Sequence, residues 1–302
     1  MDAACTALLG LPLADTLALS SLVMAASGAC ACAALLGGLS APYGRYATQR
    51  AALAEAYSCG LPHLPARAAW LLQECPAFFT ALALLARCRA GGFPPLASAP
   101  GLLACLFLAH YFNRSFVYPL RIAGGKPTPV GICLMALLFC LWNGAAQGAY
   151  LAAAPLPAAP PLLALHPRLL CGVLLFLAGM GLNLEADAIL RSLRKPGETG
   201  YSIPHGGAFN WVSGANFAGE VLEWAGYALA AWRPSDAPCT LPLLRALSET
   251  PVLGLLCNPA VAFALFTACN IGPRALQHHE NYRQMFGDKY PKDRKALIPY
   301  LL

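Results

Sequence analysis

Long apolar runs separated by short polar gaps dominate the chain. Hydrophobic windows cover residues 13–39, 68–87, 97–118, 129–153, 162–184, 209–232 and 250–271, each close to or above the roughly 20 residues a helix needs to cross the hydrocarbon of a bilayer. The pattern predicts an all-α integral membrane protein with seven transmembrane helices, forming a single membrane domain over residues 1–302. The longest polar gaps, 40–67, 185–208 and the tail from residue 272, leave no separate soluble domain in view. The first window is expected to remain a helix, because "MDAACTALLG" lacks the basic segment of a signal peptide and the apolar run is too long for one.

Composition agrees with that pattern. The chain is 58% hydrophobic and 11% charged, about half the charged fraction of an ordinary soluble domain. Of the 20 Lys and Arg, 15 fall in the gaps after the first, third, fifth and seventh windows or, for Arg114, at the far end of the third window itself. Cytoplasmic loops are enriched in positive charge, so the N-terminus is expected outside and the C-terminus in the cytoplasm. That topology makes the chain a multi-pass protein of a bacterial inner membrane or, in a eukaryote, of the endoplasmic reticulum. The Ala-rich composition is compatible with a bacterial source.

Thirteen cysteines suggest neither a disulfide framework nor a metal site. Their number is odd, most lie inside the apolar windows, and no CxxC pair or His/Cys ligand spacing occurs. They read as small hydrophobes, and no metal is expected. "GMGLN", residues 179–183, lacks the third glycine and the preceding strand of a dinucleotide fingerprint. It reads as close helix packing through small residues that ends at Asn183.

Polar groups within the apolar windows carry the candidate chemistry, since ionisable side chains at membrane depth usually face a bundle interior or cavity. Glu74 lies about two turns inside the second window and Tyr111 one to two turns before the exit of the third, which runs the opposite way. The two reach similar depth. A carboxylic acid that keeps its proton donates a hydrogen bond, as a phenol does, and two such donors stabilise negative charge developing on a carbonyl oxygen. The alternative role for Glu74 is a bond to a neighbouring helix through Gln73 or His110. In "GANFAGEVLEWAGYALA", residues 214–230, Asn216, Glu220 and Glu223 share one helical face, suited either to a helix-packing network or to a ligand. The basic inner segments, rich in His, Tyr and Asn, describe a pocket for a large anionic cofactor beneath an apolar substrate.

Five ordered stretches, "LPARAAWLLQE", "HYFNRSFVYP", "GMGLNLEADAILRSLRKPGE", "VSGANFAGEVLEWAGYALA" and "FGDKYPKDRKALIPYLL", closely resemble the steroid 5-alpha-reductase family (3-oxo-5-alpha-steroid 4-dehydrogenases). The resemblance runs from about Tyr43 to Leu302. It implies a seven-helix membrane fold that takes NADPH from the cytoplasmic side and reduces the carbon–carbon double bond of a 3-oxo-4-ene steroid. By this resemblance Glu74 and Tyr111 are the catalytic pair at the ketone, with Gln73 and Trp70 beside the substrate. Tyr43, Arg45, Arg114, Lys126, Asn183, Asp187, Arg194, Tyr201, Asn216, Glu220, Arg274, His278 and Tyr282 are placed around NADPH, and Asn216 and Glu220 fall at the nicotinamide, while Glu223 serves packing.

The partners implied are a steroid or sterol-like substrate and membrane lipid, with no nucleic acid; a monomer is compatible with the sequence. Three rivals stay open: a membrane reductase of enoyl thioesters or polyprenoid enals, an S-adenosylmethionine-dependent membrane methyltransferase, and a non-enzymatic lipid-binding or scaffold protein.

Overall fold

The computed structural model describes residues 10–40, 51–58, 60–88, 92–122, 125–155, 167–193, 201–233 and 239–302. Among them no strand forms, and the only extended pairing is two isolated bridges, Leu64 with Thr128 and Val212 with Lys295. The helices are α1 (Leu13–Leu36), α2 (Ala51–Ser58), α3 (Ala66–Arg87), α4 (Ala99–Phe112), α5 (Tyr118–Arg121), α6 (Val130–Ala152), α7 (Pro167–Ser192), α8 (Ala215–Ala231), α9 (Pro242–Glu249), α10 (Pro251–Leu256) and α11 (Pro259–Phe286). Tyr43, Arg45 and Arg194, three of the expected cofactor residues, lie outside the described residues.

Four helices, α1, α3, α6 and α7, are long and apolar enough to cross a membrane, and they mark the chain as a membrane protein. Their outer faces are apolar and open: Phe79 on α3, Leu134, Met135 and Leu138 on α6, and Leu174 and Leu177 on α7 are all exposed. In water such a belt would be costly, whereas lipid is its natural surrounding.

The other three expected windows fold with interruptions, each with a local cause. Residues 97–118 become α4 followed directly by a π-helical turn, Asn113–Val117, and then by α5. The 209–232 window opens as a 3-10 turn, Gly207–Asn210, and becomes α-helical only at Ala215. The 250–271 window is cut near Asn258, whose side chain accepts from the backbone N–H of Ala260 and Val261 and caps α11 while Pro259 takes its first position. Asn at the cap and Pro at N1 are a strong restart signal. α11 then continues without a break past Pro273 to Phe286.

Small residues set which helices touch. Ala69, Gln73, Ala77, Ala81 and Leu85 form a stripe along α3 at four-residue spacing that lies on α6, where a Cβ at Gly144 would stand 2.6 Å from the Ala77 carbonyl oxygen. On α7 and α8 the same device recurs: a Cβ at Gly179 would collide with the Glu223 backbone and one at Gly219 with that of Asn183. Without a hydrophobic force between helices in lipid, such close backbone approach supplies much of the association. Gly181 faces open space, so only the first glycine of "GMG" packs. Phe107, Phe176, Trp224, Tyr227 and Phe263 are buried where α4, α7, α8 and α11 meet, with the Trp224 and Phe263 rings 4.5 Å apart.

Candidate active site

α3 presents Trp70, Gln73 and Glu74 to the bundle. Gln73 is buried, and its amide nitrogen donates to Glu74 Oε1 at 3.4 Å. Pro76, two residues on, cannot donate to the Leu72 carbonyl; the Cys75 thiol covers that oxygen at 3.9 Å. Glu74 Oε2 accepts a weak bond from the Cys140 thiol on α6, at 3.7 Å.

One turn along α6, Asn143 donates to the Tyr111 hydroxyl oxygen at 3.0 Å. Gln147, a further turn on, donates to Asn143 Oδ1 at 3.3 Å and to the Pro259 carbonyl at 2.9 Å. Glu74 and Tyr111 are therefore brought to the same face of α6, tethered through Cys140 and Asn143. These α6 residues do not stand out in the sequence, because a lone Cys, Asn and Gln in an apolar span resemble ordinary packing; their spacing of three and four is the available signal.

α4 contributes in two directions. Tyr111 turns to α6, while His110 turns to α8, its Nδ1 lying 2.7 Å from Glu223 Oε1 with both residues buried. Arg114, in the π-helical turn, pairs with Glu220 Oε2 at 3.6 Å and with Asp187 Oδ2 at 3.4 Å. Its guanidinium also lies over the rings of Trp70, at 4.9 Å, and Tyr118, at 5.0 Å. π-turns inside α-helices are frequent at functional sites, and here the turn sets Arg114 among three helices.

α7 and α8 complete the cluster. Asn183 donates to the Asn216 carbonyl at 2.9 Å, and the Asn216 amide donates to Asp187 Oδ1 at 3.4 Å. Asn183 and Asp187 are buried. Of the expected residues, Trp70, Gln73, Glu74, Tyr111, Arg114, Asn183, Asp187, Asn216 and Glu220 thus belong to one connected region. The expected face of Asn216, Glu220 and Glu223 is present, but its members have different partners, on α7 for the first, in the π-turn for the second and on α4 for the third.

A second group approaches the start of α8 from α11. Arg274, His278 and Tyr282 recur every four residues along that helix. The His278 ring lies 5.2 Å from Phe217, the neighbour of Asn216, and Tyr282 stacks on Tyr290 at 5.6 Å. Lys126 sits beside the Leu64–Thr128 bridge, and Tyr201 opens the segment leading to the 3-10 turn.

The C-terminal segment closes this side. Ser213 Oγ lies 2.6 Å from both His279 Nδ1 and the Tyr290 hydroxyl, and the backbones of Ser213 and Gly214 donate to Lys295 and Ala296. Within that segment Arg294 is 3% exposed, its Nε and Nη1 atoms meet no hydrogen-bond acceptor, and its guanidinium lies 5.2 Å from the Tyr290 ring centre. A buried arginine with idle donors is costly unless an anion completes it. In the sequence Arg294 stands in a basic C-terminal run suited as a whole to an anionic cofactor, and nothing local singles it out from its neighbours.

The fold and this geometry stand beside clear relatives. The family model for 3-oxo-5-alpha-steroid 4-dehydrogenase matches residues 126–237 and 252–302. The chain is 44% identical over 248 residues to the rat protein 3-oxo-5-alpha-steroid 4-dehydrogenase 2, covering 82% of this chain and 85% of that one. The chain belongs to the steroid 5-alpha-reductase family. It is 43% identical over 274 residues to the bovine 3-oxo-5-alpha-steroid 4-dehydrogenase 1, covering 90% and 91% of the two chains. With the human 3-oxo-5-alpha-steroid 4-dehydrogenase 2 it shares 45% identity over 246 residues, covering 79% and 82%.

Proposed function

We propose that this protein reduces the 4,5 double bond of 3-oxo-4-ene steroids with NADPH as hydride donor. The observation that carries the reading is the juxtaposition of Glu74 and Tyr111 across Cys140 and Asn143 on α6, beside the Arg114, Asp187, Asn216 and Glu220 cluster.

The residues present fit a dinucleotide phosphate. Arg294 keeps two buried guanidinium nitrogens, Nε and Nη1, for an anion, and Asn216 and Glu220 offer amide and carboxylate to a carboxamide. When bound, NADPH supplies a hydride to the substrate's beta carbon. Tyr111 accepts from Asn143, so its own O–H is left to donate to the steroid ketone. Glu74, in its protonated form, supplies the second donor. Together they draw electron density from the double bond and stabilise the enolate that hydride addition would create, and a proton taken up at the alpha carbon then completes the saturated ketone. Trp70 and Gln73 line the approach of the ring system. The apolar helices exclude water and hold the reacting carbons in place, an effect that can account for much of a barrier reduction.

The same reading assigns the seven spans to α1, α3, α4, α6, α7, α8 and the part of α11 before residue 272, with the N-terminus outside and the C-terminus cytoplasmic. α4, the π-turn and α5 run on from residue 99 to 121, about 34 Å at 1.5 Å per residue. Bilayer lipid is then the second partner of the chain, and NADP chemistry faces the cytoplasm.

Purified protein incubated with a 3-oxo-4-ene steroid and NADPH carrying deuterium at the transferred position tests the proposal. Mass spectrometry is expected to find a saturated ketone with one deuterium on the former beta carbon, and slower turnover with NADH. Turnover of a linear enoyl thioester or polyprenoid enal in preference to every steroid would overturn the substrate assignment.

A further inference from the structure

The scheme above leaves a buried pair unused. His110 and Glu223 are respectively 5% and 0% exposed and 2.7 Å apart, and Glu223 Oε2 has no hydrogen-bond partner. Two well-packed apolar side chains would fill that space at equal or lower cost, because buried polar pairs lose hydration that their attraction only partly returns. Such pairs are best attested as devices that fix register. The geometry here suits that role.

His110 and Tyr111 are successive residues, so their side chains leave α4 about 100° apart. One is tied to Glu223 on α8 and the other to Asn143 on α6. Two tethers on different sides determine the rotation of α4 about its axis, which neither can do alone. Its height is set by a second rung, Arg114 with Glu220, four residues on from His110 in the π-turn that continues α4 and three back along α8. A slip of one turn would place His110 opposite Glu220 and leave both Arg114 and Glu223 without their partners. The two rungs together admit one register.

We propose that His110 and Glu223 are a positioning pair for Tyr111: with the Arg114–Glu220 rung, their hydrogen bond fixes α4 on α8 and so holds the carbonyl-binding phenol at the correct distance from the cofactor carried by α8. This inference rests on the function proposed above. It concerns geometry, so an uncharged pair able to make the same bond serves as well, and neither residue touches the reacting atoms.

The test compares three variants in lipid nanodiscs: Glu223→Gln, Glu223→Leu, and the double change His110→Leu with Glu223→Leu. The double variant leaves no unpaired buried polar partner and is the one expected to fold even if Glu223→Leu does not. It should bind NADPH within about 3-fold of wild type, whereas kcat for steroid reduction falls about 100-fold, the order expected when a reacting group is misplaced by about 1 Å. The isotope effect with deuterated NADPH should rise as hydride transfer becomes limiting. Glu223→Gln, which can still accept from the imidazole, should recover most of the lost kcat.

A double variant with wild-type kcat, a matching loss of NADPH affinity, or a Gln variant as slow as the double variant would each overturn the proposal. Wild-type protein assayed alongside separates the two failures. Absence of any steroid reduction by wild type defeats the functional reading, while normal reduction by wild type and double variant alike defeats only the positioning pair.

Discussion

The Asn143 side chain donates to the Tyr111 hydroxyl oxygen at 3.0 Å, and Asn143 is fully buried. The bond fixes what the phenol can do next: its oxygen is already an acceptor, so its proton points to another partner. Cys140, one turn earlier, meets Glu74 on the same side of α6. α6 therefore orders the two candidate donors, although it supplies neither.

Tyr111→Phe and Glu74→Gln should separate those donors. Removing the phenol is expected to lower turnover about 100- to 1,000-fold, the usual cost of an oxyanion donor. Glu74→Gln keeps a weaker donor and should lose less, with NADPH binding near wild type. If the two act as a unit, the double variant loses less than the product of the single effects. Unchanged turnover in Glu74→Gln, or loss of its NADPH binding, would remove Glu74 from the ketone.

Asn143→Leu addresses the tether. It deprives a buried phenol of its partner, at a cost of roughly 1–3 kcal/mol, and frees the ring to turn. Turnover should fall while the Kd for NADPH stays constant. An equal fall in cofactor affinity would place Asn143 in the cofactor site.

Arg294→Met tests whether the idle guanidinium donors await an anion. Charge-assisted hydrogen bonds contribute about 1.5–3 kcal/mol each, so NADPH affinity should weaken about 10- to 100-fold. Equilibrium binding of NADPH and of NADH by the variant would read it directly. Unaltered affinity together with a lowered Tm would make Arg294 a support of the C-terminal segment through Tyr290.

The two glycines of "GMG" offer a stability test with its own control. Gly179→Leu drives a side chain into the Glu223 backbone, while Gly181→Leu enters open space. Overpacking costs typically 1–3 kcal/mol and more against backbone, so Tm should drop in the first variant and hold in the second. Equal effects would mean that α7 and α8 do not meet at Gly179.

How much of this was legible in the sequence depends on the kind of force involved. The helical class followed from apolar length alone, and Asn216, Glu220 and Glu223 could be placed on one face because helical spacing is a local property. Their partners are not local: nothing at Glu223 points to His110, which is 113 positions away. The break before α11 was readable from Asn258 and Pro259, but a run of hydrophobic residues on both sides concealed it. Arg294 and Ser213 take their meaning from a C-terminal segment folding back under α8, a tertiary event that composition cannot show.

His279 gives the last prediction, because its imidazole lies at that fold-back. Burial is the main force holding its pKa below the ordinary value, and Arg283, Arg294 and Lys295 add repulsion that Glu280 only partly offsets. The ordinary imidazole value is about 6.5. A depressed folded value means that the unfolded chain takes up the proton first, so stability is whole above about pH 6.5 and declines as pH falls from there through the folded value. The contact at risk is the knot of His279, Ser213 and Tyr290, which pins the last residues beneath Gly214 and the start of α8. His279→Gln retains a polar partner for Ser213 without titrating. Wild-type Tm and NADPH affinity should therefore decline more steeply with acidification than those of the variant, and the difference should vanish above about pH 7. Parallel curves across the acid range would show that protonation of His279 does not govern the hold of the C-terminal segment on α8.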